Sequence, residues 1–253
     1  MKKLNAPMLS AIGALLLICV LSLSVYISGV AYQTPENIVA ISDTDSKMID
    51  NYMLEQNMEI AGRVDINDKN IKDIIKSLIR PDEYKAVITS TLYYDDTYGT
   101  LSCRQYVKEN TYRVDYLNNN GGINYTQIYY NDYCYFFKNG ASTFNKIAKG
   151  SFSSDNDAMI PTYEDILNID DKYIKGSRMY EENGQMLIEI DTQIDKSVGI
   201  YRISLNNGLL YSADFSENGK MTRRVEVNVE KDKPVPEDFI LAGQTQPIYE
   251  SAN

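Results

Sequence analysis

The sequence predicts a mainly β protein: an antiparallel meander sheet with a few helices, placed behind one N-terminal membrane-spanning helix. Three observations predict this class. No charged residue lies between Asn5 and Pro35, eleven later segments alternate apolar with polar residues, and Asn-Gly pairs separate several of them. Asn-Gly between two alternating segments is the strongest short-range signal of a β-hairpin.

The membrane segment comes first. Met8 to Val30 is almost wholly apolar, and about 20 such residues cross the hydrocarbon core of a bilayer. Lys2 and Lys3 precede it, and the next basic residue is Lys47. Because basic residues stay on the cytoplasmic side, the sequence predicts a single-pass protein of the cell membrane. Residues 1–32 are its cytoplasmic N-terminus and anchor, and everything that follows is extracytoplasmic.

A cleaved signal peptide is the alternative. Its apolar region would span about 7–15 residues, and the run here is longer, which favours an uncleaved anchor. Gly29-Val30-Ala31 offers small residues where a signal peptidase could cut, so the alternative stays open.

Composition excludes several function classes. The formal net charge of −10 argues against a nucleic-acid partner, because such a surface repels phosphates. The chain contains no histidine, which removes the Ser-His-Asp triad and imidazole acid–base chemistry. We therefore expect that the protein is not an enzyme. Asp155 and its acidic neighbours lack the glycine and glutamate of a calcium loop, so no metal site and no cofactor is predicted.

Two cysteines follow the anchor, Cys103 and Cys134. Both fall in predicted strands two or three positions apart in a meander, at about 4.8 Å per strand. That separation exceeds the ~7 Å limit for bridged Cα atoms. The sequence predicts two separate buried thiols.

Residues 33–67 are predicted to form a juxtamembrane stalk. Met48, Ile49, Tyr52 and Met53 recur at the spacing of a short amphipathic helix. Glu59 to Ile66 is interpreted as a short strand. The domain proper is predicted over residues 68–241, followed by a loose tail over residues 242–253.

Two helices accompany the predicted strands. The first carries one apolar stripe and ends before Pro81, since a residue before proline avoids helical geometry; the stripe consists of Ile71, Ile74, Ile75, Leu78 and Ile79. The second follows Pro161, midway along the chain. The strands are Tyr84–Tyr94, Thr100–Val107, Thr111–Leu117, Ile123–Tyr130, Tyr133–Phe137, Thr143–Ile147, Tyr173–Tyr180, Met186–Thr192, Gly199–Leu205, Leu209–Phe215 and Thr222–Val229.

This arrangement resembles the LolA/LolB-like superfamily of lipoprotein carriers, with its RseB- and LppX-like lipid-binding and sensor relatives. The stretches that carry the resemblance are Leu78-Ile79-Arg80-Pro81-Asp82-Glu83-Tyr84, Ile160-Pro161-Thr162-Tyr163-Glu164-Asp165-Ile166-Leu167, Asn207-Gly208-Leu209-Leu210 and Pro236-Glu237-Asp238-Phe239. It implies a curved, open half-barrel whose concave face is covered by the helices. The stretches resemble those of membrane-anchored bacterial proteins of this type. The anchor is a departure from the carriers themselves, since a tethered domain cannot ferry lipoproteins across a periplasm.

The resemblance also implies a function. The expected function is a tethered binding or sensing domain for a lipid, a lipoprotein or a hydrophobic peptide. The expected wall of the site is aromatic and consists of Tyr112, Tyr116, Tyr125, Tyr129, Tyr133 and Phe137. The alternative is a structural or protein-interaction domain of the cell envelope, in which these aromatic side chains are ordinary core.

Overall fold

The computed structural model describes residues 46–63, 65–148 and 161–249. These residues contain an eleven-stranded antiparallel sheet, three α-helices and two 3₁₀ turns. The strands are β1 (Glu83–Tyr94), β2 (Thr97–Lys108), β3 (Thr111–Leu117), β4 (Ile123–Tyr130), β5 (Tyr133–Lys138), β6 (Asn145–Ala148), β7 (Ile174–Glu182), β8 (Gln185–Ile194), β9 (Ser197–Ser204), β10 (Leu210–Glu217) and β11 (Lys220–Val229). The helices are α1 (Ser46–Gly62), α2 (Ile71–Ser77) and α3 (Tyr163–Asn168), and the 3₁₀ turns are Asp171–Tyr173 and Pro236–Phe239.

The sheet consists of two meanders joined through β1 and β11. Its strand order is β6-β5-β4-β3-β2-β1-β11-β10-β9-β8-β7. The predicted mainly β class and the eleven strands are confirmed, and β3 and β4 have the predicted bounds. The largest difference is at β2, which begins at Thr97 because its turn contains only Asp95 and Asp96. Asp95 adopts a φ of 45° there, a conformation that aspartate tolerates better than most residues.

One face of the sheet, called here the helix-covered face, packs against α2 and α3. Alternate residues of each strand point to it, as the pleat requires. The apolar stripe of α2 and Ile166 of α3 belong to one core cluster with this face. Its strand members are Ile88, Cys103, Val114, Tyr116, Ile174, Ile188, Ile190, Tyr201, Ile203, Leu210, Ala213 and Val225. The prediction that both helices cover one face of the sheet is confirmed.

The predicted strand at Glu59 to Ile66 is wrong, because α1 continues to Gly62. Met53, Asn57 and Ala61 recur at a spacing of four residues and are all buried, so they form one face of a helix. The side chain of Asn57 bonds to backbone groups of Ile79 and Leu205. Within the predicted stalk, the stretch from Met53 to Ala61 is therefore packed on the sheet domain.

Part of the opposite face, over β1 to β5, is covered by the C-terminal segment 235–249, called here the strap. Phe239, Leu241 and Ile248 of the strap are buried in a second core cluster with Tyr106, Ile128 and Tyr135 of the sheet. Lys85 Nζ lies 3.1 Å from Asp238 Oδ2, and Arg113 donates to the Asp238 carbonyl. The loose tail predicted from residue 242 is wrong as far as Tyr249, because apolar strap residues bury on the sheet.

The predicted anchor at residues 8–30 lies outside the described residues. Within residues 46–63, 65–148 and 161–249, no helix is long and apolar enough to span a bilayer.

Candidate functional site

Four of the six predicted wall residues form two cross-strand pairs on the helix-covered face. Tyr112 of β3 lies opposite Tyr129 of β4, and Tyr116 lies opposite Tyr125. The ring centroids are 5.4 Å apart in the first pair and 4.4 Å apart in the second, which is stacked with an interplanar angle of 15°. Such aromatic pairs stabilise neighbouring strands beyond the area that they bury.

The other two predicted residues, Tyr133 and Phe137, lie on the strap face. A two-residue turn joins β4 to β5, so Tyr130 pairs with Tyr133 and Tyr129 pairs with Cys134. Because directly opposite residues share a face, this register places the odd-numbered side chains of β5 away from the helices. The wall predicted from the sequence is therefore divided between two faces, with four tyrosines on one face and two aromatic residues on the other.

The four tyrosines on the helix-covered face differ in how deeply they are buried. Tyr116 is only 1% exposed and belongs to the core cluster, so a ligand could not contact its ring. Tyr112, Tyr125 and Tyr129 are half-buried and keep part of their surface open. These three residues, called here the tyrosine row, are the part of the predicted wall that a ligand could contact.

Two amide side chains, which the sequence reasoning missed, accompany the tyrosine row. Gln105 and Gln127 flank Val114 in the cross-strand register, on the same face, and both are buried. The hydroxyl of Tyr129 donates to Gln127 Oε1 at 3.3 Å. The sequence did contain a signal for them. Each glutamine lies among strand residues that point to the core, and a buried amide needs hydrogen-bond partners. The row thus combines aromatic surface with fixed polar groups.

Phe136 was also missed, because finding it requires the register of β5. It pairs with Gln127 across β4 and β5 and is half-buried on the helix-covered face. The two-residue turn at Asn131 and Asp132 was the signal, since its length fixes that register. Asn131 has a φ of 51°, as a tight hairpin turn requires.

The two thiols confirm the prediction of separate buried cysteines. Cys103 lies on β2 and Cys134 on β5, both on the helix-covered face, and both are buried thiols that form no disulfide. Burial, with a smaller effect of Asp115, raises the pKa of Cys103 to about 12. A thiol with so high a pKa is almost entirely protonated at neutral pH and is a poor nucleophile. In the described part of the chain, no three acidic or cysteine side chains converge as metal ligands would.

The carboxyl group of Asp165 lies elsewhere on the same face, where α3 meets β9 and β11. Asp165 accepts a hydrogen bond from the Thr162 amide at 2.7 Å. Burial raises the pKa of Asp165 to about 6, and Glu164 adds to that rise, while the Thr162 amide and Arg223 oppose it. Arg223 donates to Ser90 Oγ at 3.1 Å. This carboxyl group titrates close to neutral pH.

Replacing Asp165 by asparagine should change the pH dependence of stability. The folded-state pKa is raised, so the favourable contribution of protonated Asp165 is complete below about pH 4 and disappears as pH rises through 6. The free energy of unfolding of Asp165→Asn, relative to wild type, should therefore rise between pH 4 and 7. Urea unfolding at several pH values measures it, with Asp171→Asn as an exposed control. An unchanging difference between Asp165→Asn and wild type would contradict the assignment.

Comparisons with known proteins give structural similarities only. No family model and no curated protein matches the sequence. An uncharacterized conserved protein from Thermus thermophilus is similar in structure with a TM-score of 0.39 and 11% identity, over 72% of this chain and 91% of that one. LprF from Mycobacterium bovis gives a TM-score of 0.37 and 9% identity, over 72% of this chain and 95% of that one.

A third similar structure is the LolA superfamily protein NE2245 from Nitrosomonas europaea. Its TM-score is 0.32 with 9% identity, over 69% of this chain and 97% of that one.

Proposed function

We propose that the chain is a membrane-tethered extracytoplasmic binding domain that holds an apolar ligand, a lipid or a hydrophobic peptide, against the tyrosine row. The observation that carries the proposal is the placement of Tyr112, Tyr125 and Tyr129. The rings of Tyr112 and Tyr129 are neighbours across β3 and β4, Tyr125 lies further along β4 on the same helix-covered face, and all three are only half-buried. A protein that needed them only as core would gain by covering them completely.

The row suits a ligand that is mainly apolar and carries a few polar groups. A tyrosine side chain offers up to about 150–250 Å² of surface, and removing apolar area from water gains about 25 cal/mol per Å². The Tyr129 hydroxyl and the Gln127 amide would orient the polar part of the ligand. Ligand sites of this kind are mostly apolar with a few fixed polar groups.

The tether is part of the proposal and is supported by the sequence. The apolar run at residues 8–30 and the lysines before it favour an anchor with the domain outside. Such an anchor would keep the protein in the membrane fraction after alkaline washing, with the domain accessible to protease added to spheroplasts.

The proposal includes no catalytic step. The sequence contains no histidine, and its adjacent acid pairs do not form a convergent site. Asp95 and Asp96 form an exposed hairpin turn, where the carboxylates are solvated.

Binding of an apolar fluorescent dye tests the proposed site. The full chain in mild detergent should bind 1-anilinonaphthalene-8-sulfonate, and Tyr112→Ala with Tyr129→Ala should weaken that binding five- to tenfold. This corresponds to about 1–1.4 kcal/mol, a modest loss for two half-buried rings. Mass spectrometry of material that co-purifies with the native chain would identify the natural ligand.

Tyr133→Ala is the matched control, because Tyr133 is 40% exposed and lies on the strap face. It should leave dye binding unchanged. Equal weakening by Tyr133→Ala, or wild-type binding by the double variant with its fold intact, would refute the tyrosine row as the site.

A second candidate function, protein interaction, is favoured by the tip of the β1–β2 hairpin. Tyr94 is 60% exposed and Tyr98 is 73% exposed. The tip projects past β3, which pairs with β2 only as far as Cys103. On its other side β11 runs beside it, and Lys220 Nζ lies 3.9 Å from Asp95 Oδ1. Exposed tyrosines often anchor protein partners. A chain that binds neither dye nor co-purified lipid would favour this function over the first.

A further inference from the structure

The strand β7 is a long edge of the sheet. Among the described residues it pairs with β8 alone, and its nine residues extend over about 30 Å at ~3.4 Å per residue. The other edge, β6, has four residues. Natural proteins usually shorten or cover edge strands, because unpaired backbone groups invite a further strand. Within the described part of the chain, the outer side of β7 therefore offers unpaired backbone groups to a further strand.

The charges of β7 are divided between its two halves. Lys175 and Arg178 lie in the first half, and Glu181 and Glu182 end the strand. All four residues are exposed. In an antiparallel pair of identical strands, the first half of one copy meets the second half of the other. Basic residues of one copy can then lie diagonally across from acidic residues of the other, whereas a parallel in-register pair would place like charges directly opposite each other.

The regular part of the strand has an apolar centre. A bulge falls between Ile174 and Gly176, and from Ser177 to Glu182 the register with β8 is uninterrupted. Met179, at the middle of this part, is 36% exposed. A two-fold axis through Met179 would bring the two methionine side chains together. It would also place Arg178 opposite Tyr180 of the second copy, and Ser177 opposite Glu181 of the second copy.

We propose that β7 pairs antiparallel with β7 of a second copy of this chain, about a two-fold axis at Met179, to form one continuous sheet. Such an axis stands perpendicular to the sheet and keeps the helix-covered faces of both copies on the same side. The interface is isologous, as in most homodimers. Arg178 keeps its 2.5 Å bond to Glu189 and adds the acidic end of the second strand as a neighbour.

The contact is small, so the association is weak in dilute solution. Seven paired residues bury less than the ~1,000 Å² expected of a stable interface. The dimer should therefore depend on concentration, and it should weaken in salt because exposed charges contribute to it.

Disulfide trapping tests the pairing in the full chain, purified in mild detergent with Cys19→Ser. Directly opposite residues of antiparallel strands have Cβ atoms about 4.5–5.5 Å apart, near the range that a disulfide accepts. Met179→Cys should form a covalent dimer under mild oxidation. Met221→Cys is the matched control, because Met221 is 38% exposed on β11, far from this edge.

We expect Met179→Cys to cross-link at least tenfold faster than Met221→Cys. Adding Glu181→Lys and Glu182→Lys should reduce the rate to that of the control, because the introduced lysines would lie diagonally across from Lys175 and Arg178 of the second copy and repel them. Circular dichroism verifies that each variant is folded. Equal rates for the two cysteine variants, or an unchanged rate after the charge reversal, would overturn the proposal.

Discussion

Replacing Asn57 by leucine is expected to lower the free energy of unfolding by about 3–5 kcal/mol. Asn57 is fully buried on α1, and its side-chain amide donates to the carbonyls of Ile79 and Leu205, each at 3.0 Å. Its Oδ1 accepts from the Ile79 amide at 2.7 Å. Leucine leaves all three backbone groups without this partner, and each costs about 1–3 kcal/mol when buried. Urea unfolding followed by circular dichroism measures the loss.

Two further variants separate this effect from the helix propensity of α1. Glu55→Ala, on the exposed side of α1, should change the stability by less than about 0.5 kcal/mol. Asn57→Asp keeps the acceptor but removes both donors and buries a charge, so it should be most destabilising above pH 6 and less so in acid. A loss for Asn57→Leu no larger than that for Glu55→Ala would show that Asn57 does not hold α1 in place.

The sequence predicted the strands well because the information for a hairpin is local. Asn183-Gly184 and Asn218-Gly219 adopt the positive φ angles that a two-residue turn requires, and the flanking residues alternate. The same reasoning located α3, where Pro161 and the acids of the first turn indicate a helix start. Hairpin turns thus fix which neighbouring strands pair within each meander.

Contacts between distant parts of the chain could not be predicted in this way. The pairing of β1 with β11 joins the two meanders, and no turn signals it. Asn57 is polar, so a hydropathy pattern places it on the surface although it is buried. Tyr133 was assigned to the wrong face because the face depends on the β4–β5 register, where a shift of one residue reverses every side chain. Composition alone cannot resolve such a shift.

Replacing Phe239 by alanine is expected to lower the free energy of unfolding by about 3–5 kcal/mol, the usual cost of truncating a buried phenylalanine. Phe239 is 0% exposed and lies in the strap-face cluster with Tyr106, Ile128 and Tyr135. Its ring centroid is 6.1 Å from that of Tyr249. The truncation leaves a cavity between the strap and the sheet, which few neighbours can fill. Urea denaturation measures the loss.

The loss should spread beyond the strap, because β3 and β4 contribute to both faces. On β3, Val114 packs toward the helices, whereas Arg113 lies on the strap face and binds Asp115 through two hydrogen bonds of 2.8 and 2.9 Å. Loosening the strap exposes that ion pair and weakens the strands beneath α2. Phe239→Ala should therefore speed amide hydrogen exchange in β3 as well as in the strap. Val235→Ala, at a strap position 46% exposed, should do neither, and exchange confined to the strap would show that the two faces are stabilised independently.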